Sequence, residues 1–302
     1  MPEWSSILNE ITLYSSDPNQ QMAFLEQKRL DYLKKISEKT GRNVITYYSG
    51  WLVKPELADI VINDNDKNAF MQAVYKLDKN KGLDLILHTP GGDIAATESI
   101  VDYLHSIFKD DIRAIIPQLA MSAGTMIALS CSSIMMGKQS SLGPIDPQYR
   151  GISCQEALDE FEKAKQEVKA DLSCLGLWQQ RISSYTPTFL ISCANAIDWS
   201  KSLAEQWINN NPKIKDENKS EILKEFEEHS QSKSHSRHLS LEKCKQVGLN
   251  IEEMEKDNEL QDFILSLHHC YMILFGMSCI TKAVENQIGS RYLKLFIENQ
   301  PK

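Results

Sequence analysis

Residues 83–104 read LDLILHTPGGDIAATESIVDYL, and the architecture of the chain can be inferred outward from this segment. Its first half is a short apolar run of the kind that forms a buried strand, and its second half carries apolar residues at helical spacing. Thr-Pro-Gly-Gly lies between them, and two adjacent glycines allow another group to approach the backbone closely. An ordinary turn requires less than this, so we interpret the strand–turn–helix unit as one wall of a functional site.

Strand and helix patterns alternate on both sides of this unit. Such alternation is typical of parallel strands joined by right-handed crossover helices, and continuously apolar strands indicate a sheet covered on both faces. The sequence therefore predicts an α/β fold with a mostly parallel sheet. The predicted elements are a helix over Met22–Thr40, a strand over Asn43–Trp51, a helix over Asp64–Asn80, a strand over Leu83–Thr89, a helix over Ala95–Phe108, a strand over Ile112–Ala120, a helix from about Ala123 to Ser130 and a strand over Ser133–Met136.

The pattern changes after Cys154, where it becomes helical almost throughout. The last strong helical pattern runs from Glu259 to about Asn286. We therefore predict three parts: a helical N-terminal extension at residues 1–42, an α/β core at 43–200 and a helical C-terminal region at 201–302.

Composition excludes several classes of protein. With 302 residues, 42% hydrophobic and 25% charged, the chain is typical of a globular protein with a large core. Its net charge of −8 argues against a nucleic-acid partner. The seven cysteines are scattered without a CxxC motif, which indicates reduced thiols rather than disulfides or a metal site. The first residues lack a secretory pattern, and no apolar run reaches the ~18 residues that a membrane span needs. We expect a cytoplasmic protein without cofactor, metal or membrane span.

A second strand-to-helix junction, AMSAGTMIALS at Ala120–Ser130, carries Ser122 at the start of an apolar helix. Serine is a common helix N-cap, so a structural role would explain it by itself. A functional role becomes plausible together with Gly91 and Gly92, because neighbouring parallel strands bring their following turns to the same edge of a sheet. The amides of both glycines and of Ala123 would then surround the Ser122 hydroxyl as an oxyanion hole.

Four segments, LDLILHTPGG, AMSAGTMIALS, SSLGPIDPQ and HSRH, follow one another as in the serine dehydrogenase proteinase family, which this chain resembles from roughly Asn43 to Asn286. That family is related to signal peptide peptidase A and to Clp protease, within the crotonase-like fold. The resemblance implies a ββα superhelix and an ATP-independent serine peptidase that acts on peptides or unfolded proteins as a homo-oligomer. By matching position, Ser122 is the nucleophile that forms an acyl-enzyme, and Gly91, Gly92 and Ala123 form its oxyanion hole.

The identity of the general base stays open. Clp-type proteases carry a histidine about two dozen residues after the serine, but GPIDPQ puts Asp146 there, and an aspartate with an ordinary pKa near ~3.9 is a poor base. Signal peptide peptidases use a downstream lysine, and helical spacing places Lys165 in an apolar stripe and Lys163 ~200° away among acidic residues. Lys165 is therefore the preferred candidate. His235 and His238 compete with it, because histidine titrates near neutrality.

Two further classes of function remain possible on the same fold, and they differ in the residues they require. A crotonase-type acyl-CoA hydratase or isomerase would take its acid and base from Asp93 and Glu98, beside the glycines. A non-catalytic assembly or partner-binding protein on a Clp-like scaffold would need no base. In the peptidase, we expect His88 and Pro90 to line the substrate cleft.

Overall fold

A computed structural model of the chain describes residues 4–149, 151–227 and 237–296. The helices are α1 (Trp4–Tyr14), α2 (Pro18–Thr40), α3 (Asn65–Val74), α4 (Ile94–Phe108), α5 (Ala123–Ser130), α6 (Cys154–Ala170), α7 (Leu175–Ile182), α8 (Phe189–Asn210), α9 (Asp216–Glu227), α10 (Leu241–Gln246) and α11 (Asn258–Met277). The strands are β1 (Asn43–Ser49), β2 (Leu83–His88), β3 (Ile112–Ile116), β4 (Leu119–Ala120), β5 (Ser133–Met136), β6 (Ser141–Leu142), β7 (Gln148–Tyr149), β8 (Ile152–Ser153), β9 (Leu239–Ser240), β10 (Ile251–Glu253), β11 (Ile280–Asn286) and β12 (Arg291–Leu295).

In the described part of the chain, the central sheet has seven strands in the order β10–β5–β3–β2–β1–β11–β12. The first five strands are parallel, whereas β11 and β12 are antiparallel to their neighbours. Helices cover both faces, which is why the parallel strands are apolar along almost their whole length. The predicted α/β fold with a mostly parallel sheet is confirmed.

Two hydrophobic cores lie on opposite faces of this sheet. One contains residues of α3, α4, α5 and α8, and the other contains residues of α1, α2 and α11. Along β2, Leu85 and Leu87 enter the first core and Ile86 enters the second, as the alternation of side chains in a strand requires. No helix in the described ranges is both long and apolar enough to cross a bilayer.

The end of the chain differs from the expected helical region. The helix predicted to run to about Asn286 ends at Met277, and the residues from Ile280 to Asn286 form β11 beside β1. Every residue of β11 is buried, so pairing with the sheet outweighs the local helical pattern. The predicted helical C-terminal region therefore also contains strands of the central sheet, and the domain boundaries at residues 42 and 200 stay predictions.

The strand predicted over Ile112–Ala120 is divided in two. β3 ends at Ile116, and Pro117, which has no N–H to donate, separates it from β4. β4 leaves the central sheet and joins β6 and β9 in a small sheet of order β4–β6–β9. This small sheet carries the nucleophile candidate at one end.

Candidate functional site

The Gly91–Gly92 turn lies directly beside Ser122. Thr89 and Ala120 form a parallel bridge, with the N–H of Met121 donating to the Thr89 carbonyl at 3.0 Å. A Cβ added to Gly91 would lie 2.8 Å from the Ser122 Cβ, which is closer than real Cβ contacts allow. Two turns far apart in sequence therefore meet at one edge of the sheet.

Ser122 has an unusual backbone conformation, with φ 50° and ψ −119°. A non-glycine residue in such a sparsely populated region costs about 1–3 kcal/mol, and residues of this kind cluster at functional sites. The Ser122 side chain makes no capping hydrogen bond to α5, so a capping role does not account for this serine. Its hydroxyl-bearing side chain is partly exposed and lines a cavity.

Two backbone amides beside Ser122 have no hydrogen-bond partner among the described residues, those of Gly92 and Ala123. Ala123 is the first residue of α5, and the first N–H groups of a helix have no partner within it. Gly92 forms a parallel bridge with Ile62, and in such a bridge the residue's own N–H points away from the partner strand. The Gly91 amide, which was also expected to be an oxyanion donor, already donates a hydrogen bond to Thr89 Oγ1 at 3.1 Å.

A cavity of about 1030 Å³ opens beside these groups. It is bounded by the loop before α3, by the glycine turn, by the segment after β6 and by one face of α8. The residues that line it are Trp51, Val61, Ile62, Asn63, Pro90, Gly91, Gly92, Asp93, Ile94, Met121, Ser122, Ala123, Met126, Ile145, Asp146, Pro147, Gln148, Tyr149, Gly151, Ser192, Asn195, Ala196, Trp199, Ser200 and His238.

His238, one of the candidate bases, lines the same cavity as Ser122. It directly precedes β9, which is antiparallel to β6, with Leu239 opposite Leu142. Leu142 is in turn opposite Ala120 of β4, two residues before the serine. The small sheet thus brings a residue from far along the chain to the end of β4.

Asp146 also lines the cavity, and it is only 5% exposed. Its Oδ1 accepts a hydrogen bond from the Ser153 hydroxyl at 3.2 Å. Ser153 is the N-cap of α6 and accepts from the Glu156 N–H, so the carboxyl group is tied to the start of that helix. A buried carboxylate and an imidazole therefore share one cavity with the serine.

The two candidate lysines lie elsewhere. The Lys165 side chain is 72% exposed and forms an ion pair with Glu162 at 2.8 Å, and the Lys163 side chain is 68% exposed. Neither lines the cavity around the serine. The expected burial of Lys165 is wrong, because the buried residues of α6 are Cys154, Ala157 and Ala164, a stripe rotated by about one residue from the predicted one. His235 lies outside the described residues.

His88 does not line the cavity, contrary to expectation, whereas Pro90 does. His88 is fully buried on the other side of β2, with its ring 5.1 Å from that of His268 and 6.0 Å from that of Trp51. Burial lowers the pKa of His88 to about 3 and also lowers the pKa of His268. Both rings are therefore neutral at physiological pH.

In the described ranges, no three His, Cys, Asp or Glu side chains are grouped closely enough to hold a metal ion. The polar groups that line the cavity include the Ser122 hydroxyl, the amides of Gly92 and Ala123, the imidazole of His238 and the carboxylate of Asp146. Such a set can activate a hydroxyl and stabilise an oxyanion.

A family model described as ClpP-like SDH-type serine proteinase matches residues 7–264. The chain belongs to this family. The resemblance inferred from the four sequence segments is therefore confirmed, and it extends over nearly the whole chain.

Individual relatives match shorter stretches. Two uncharacterized proteins of Methanocaldococcus jannaschii are similar: MJ0137 is 36% identical over 136 residues, which cover 43% of this chain and 46% of that protein, and MJ1495 is 31% identical over 156 residues, covering 50% and 52%. The ATP-dependent Clp protease proteolytic subunit of Streptococcus thermophilus is 38% identical over 102 residues, covering 32% of this chain and 51% of the subunit. The chain thus spans about half the length of these relatives.

Among solved structures, the 1510-N membrane-bound stomatin-specific protease is similar at 17% identity and a TM-score of 0.37, over 67% of this chain and 79% of that one.

Proposed function

We propose that this protein is an ATP-independent serine peptidase that cleaves peptides or unfolded proteins through an acyl-enzyme on Ser122. One observation carries the proposal: a serine in a strained backbone conformation lies beside the unpaired amides of Gly92 and Ala123, at the wall of a large cavity. Amides without partners are the groups that bind a developing oxyanion, and each is worth about 2.7–4 kcal/mol in the transition state.

In the proposed reaction, the Ser122 hydroxyl attacks the scissile carbonyl carbon and its proton passes to the imidazole of His238. The carbonyl oxygen becomes an oxyanion that accepts hydrogen bonds from the amides of Gly92 and Ala123. His238 then protonates the leaving amine, and water hydrolyses the acyl-enzyme by the reverse sequence of proton transfers. Gly91 contributes through its conformation, because its φ of 97° and its contact with Met121 exclude a side chain.

The choice of His238 as base rests on its position in the same cavity as Ser122, while Lys165 and Lys163 are exposed elsewhere. An imidazole needs no large pKa change to accept a proton near neutral pH, whereas a lysine does. We assign Asp146 the role of orienting the imidazole, because it is a buried carboxylate that lines the same cavity.

The shape of the cavity supports a peptide substrate. It is lined by two extended backbone segments, residues 61–63 and 145–149, and by side chains of α8. An extended peptide segment can enter such a cavity, whereas a folded domain is too large for about 1030 Å³.

A homo-oligomer is part of the proposal, since Clp-like proteases commonly assemble. The region around α7 offers apolar surface for a contact, with Leu172 77% exposed and Leu177 70% exposed. Sedimentation of the purified chain would test this directly, and a monomer at all concentrations would refute it.

The two rival functions receive less support. Both carboxylates that a hydratase would need already accept hydrogen bonds: Asp93 accepts from the Ala96 N–H at 2.8 Å as the cap of α4, and Glu98 accepts from the Trp199 indole at 3.2 Å. A purely structural scaffold would gain nothing from the strain at Ser122.

The experiment that tests the proposed function is hydrolysis of an unstructured fluorogenic peptide without ATP. We expect turnover by the wild type and its loss in Ser122→Ala, by ~10⁴-fold or more. Calorimetric titration of the same protein with an acyl-CoA provides the comparison. Binding of acyl-CoA without peptide turnover would refute the peptidase function and favour the hydratase or isomerase.

A further inference from the structure

A buried ion pair contacts the loop that pairs with the glycine turn. Lys282 Nζ is 2.7 Å from Asp66 Oδ1, and the two side chains are only 2% and 1% exposed. A buried ion pair contributes little net stability, because the cost of removing both charges from water offsets their attraction. Stabilisation of the fold alone therefore does not account for this pair.

The pair fixes the backbone of the loop before α3. Lys282 Nζ donates a hydrogen bond to the Val61 carbonyl at 3.0 Å. Asp66 Oδ2 accepts one from the Asn63 N–H at 2.9 Å. These two bonds lie on either side of Ile62, so the backbone of Ile62 is held from both directions.

Ile62 in turn fixes the glycine turn. Its N–H donates to the Gly91 carbonyl at 2.8 Å, and its carbonyl accepts from the Asp93 N–H at 2.9 Å. The backbones are in such close contact that a Cβ on Gly92 would lie 2.3 Å from both the N and the O of Ile62. This pairing turns the Gly92 N–H away from Ile62, and Gly92 lines the same cavity as Ser122.

We propose that Lys282 and Asp66 are positioning residues for the oxyanion hole, an inference that rests on the proposed peptidase function. An oxyanion donor must lie about 2.7–3.1 Å from the oxygen, and a displacement of about 1 Å can lower the rate 10²-fold. The ion pair supplies a rigid, water-free anchor that transmits its position to Gly92 through Ile62. Its effect falls on the transition state rather than on substrate binding.

The chain contains a matched control on the same strand. Glu285, also in β11, forms a buried ion pair with Arg29 of α2 at 2.8 Å, with side chains 6% and 2% exposed. Glu285 also accepts from the Tyr271 hydroxyl at 2.6 Å. This second pair packs with α2 and α11 on the face of the sheet opposite the glycine turn, so it shares the burial of the first pair but not its contacts with the loop.

The test compares Lys282→Met with Arg29→Met in the full chain, at a temperature where circular dichroism finds both folded. We expect Lys282→Met to lower kcat for the peptide about 10- to 100-fold with KM within about twofold. The inhibition constant of a peptide boronate, whose tetrahedral adduct occupies the oxyanion hole, should rise by the same factor. Arg29→Met should change kcat and this constant less than about twofold, and Lys282→Arg should keep most of the activity.

If Lys282→Met does not fold, Asp66→Asn combined with Lys282→Met replaces it, because no unpaired charge is then buried. An equal loss of kcat in the Lys282 and Arg29 variants, or a wild-type kcat in the double variant, would overturn the positioning role. Wild-type peptide cleavage that depends on Ser122 keeps the proposed function intact in that case. Absence of such cleavage would refute the proposed function itself, and the positioning role with it.

Discussion

The two sides of the proposed catalytic site are built in different ways. On the nucleophile side, Gly92 lies just after β2 of the central sheet, and β4, which precedes Ser122, is joined to the end of β2 by backbone hydrogen bonds at Thr89. On the base side, His238 is exposed to the cavity and is held by β9, a strand of only two residues that pairs with β6. The nucleophile and its amides therefore lie directly beside the central sheet, whereas the base comes from a segment far along the chain and is held by β6. Substitutions on the two sides should therefore differ in how much they lower kcat and how much they lower the free energy of unfolding.

The largest expected effect is on the base side. His238→Ala should lower kcat about 10⁴-fold or more, because the serine loses its proton acceptor. Its exposed position predicts a change in the free energy of unfolding within about 0.5 kcal/mol. Steady-state kinetics and urea denaturation measure both quantities. Activity within tenfold of wild type would exclude His238 as the base and direct attention to His235.

The nucleophile side should lose activity and stability together. A Cβ at position 92 meets the backbone of Ile62 at 2.3 Å, so Gly92→Ala must shift the turn that carries the amide. We expect kcat to fall about 10²- to 10³-fold, with a measurable loss in the free energy of unfolding. Gly176→Ala is the control, since nothing lies within 4 Å of its added Cβ, and its activity should be unchanged. Similar kinetics for both variants would contradict the oxyanion role of Gly92.

Acid should lower the stability of the fold through His88, which ends the strand before the glycine turn. The pKa of buried His88 is lowered to about 3, so the unfolded chain binds its proton more readily than the folded chain between pH 6.5 and about 3. The contribution of neutral His88 to the free energy of unfolding is thus fully present above pH 6.5. Below pH 6.5 it declines by up to about 1.4 kcal/mol per pH unit. Urea denaturation at a series of pH values should show that the free energy of unfolding depends less steeply on pH in His88→Phe than in the wild type. An identical pH dependence in the variant would refute this contribution.

The smallest effect concerns the lysine favoured by helical spacing. Lys165→Ala should leave kcat and KM within about twofold of wild type, because the side chain is 72% exposed and pairs with Glu162 at the surface. The same peptide assay measures it. A loss of activity comparable to that of His238→Ala would reverse the comparison between the two sides.

The difference between the two sides also explains how much could be predicted from the sequence. The apolar run before Gly91 and the junction at Ser122 are local patterns, and α5 and β5 have the predicted bounds. β9 has no such pattern, because a two-residue strand is specified by its partner rather than by its own residues. The sequence could offer His238 only as one of several bases, and nothing local could rank it above Lys165.

Two other features that the sequence did not predict have the same physical origin. β11 lies in a segment with a helical pattern and becomes a strand because β1 offers an open edge for pairing. The ion pair between Asp66 and Lys282 joins residues far apart in sequence, and only the folded sheet brings them together. In each case a long-range contact outweighs the local preference.

The most direct test of the central claim is the mass of the protein after reaction with a fluorophosphonate. We predict one covalent adduct in the wild type, mapped by peptide sequencing to Ser122 and lost in Ser122→Ala. An unmodified wild type, or an adduct that persists in Ser122→Ala, would contradict the claim that this hydroxyl is an activated nucleophile.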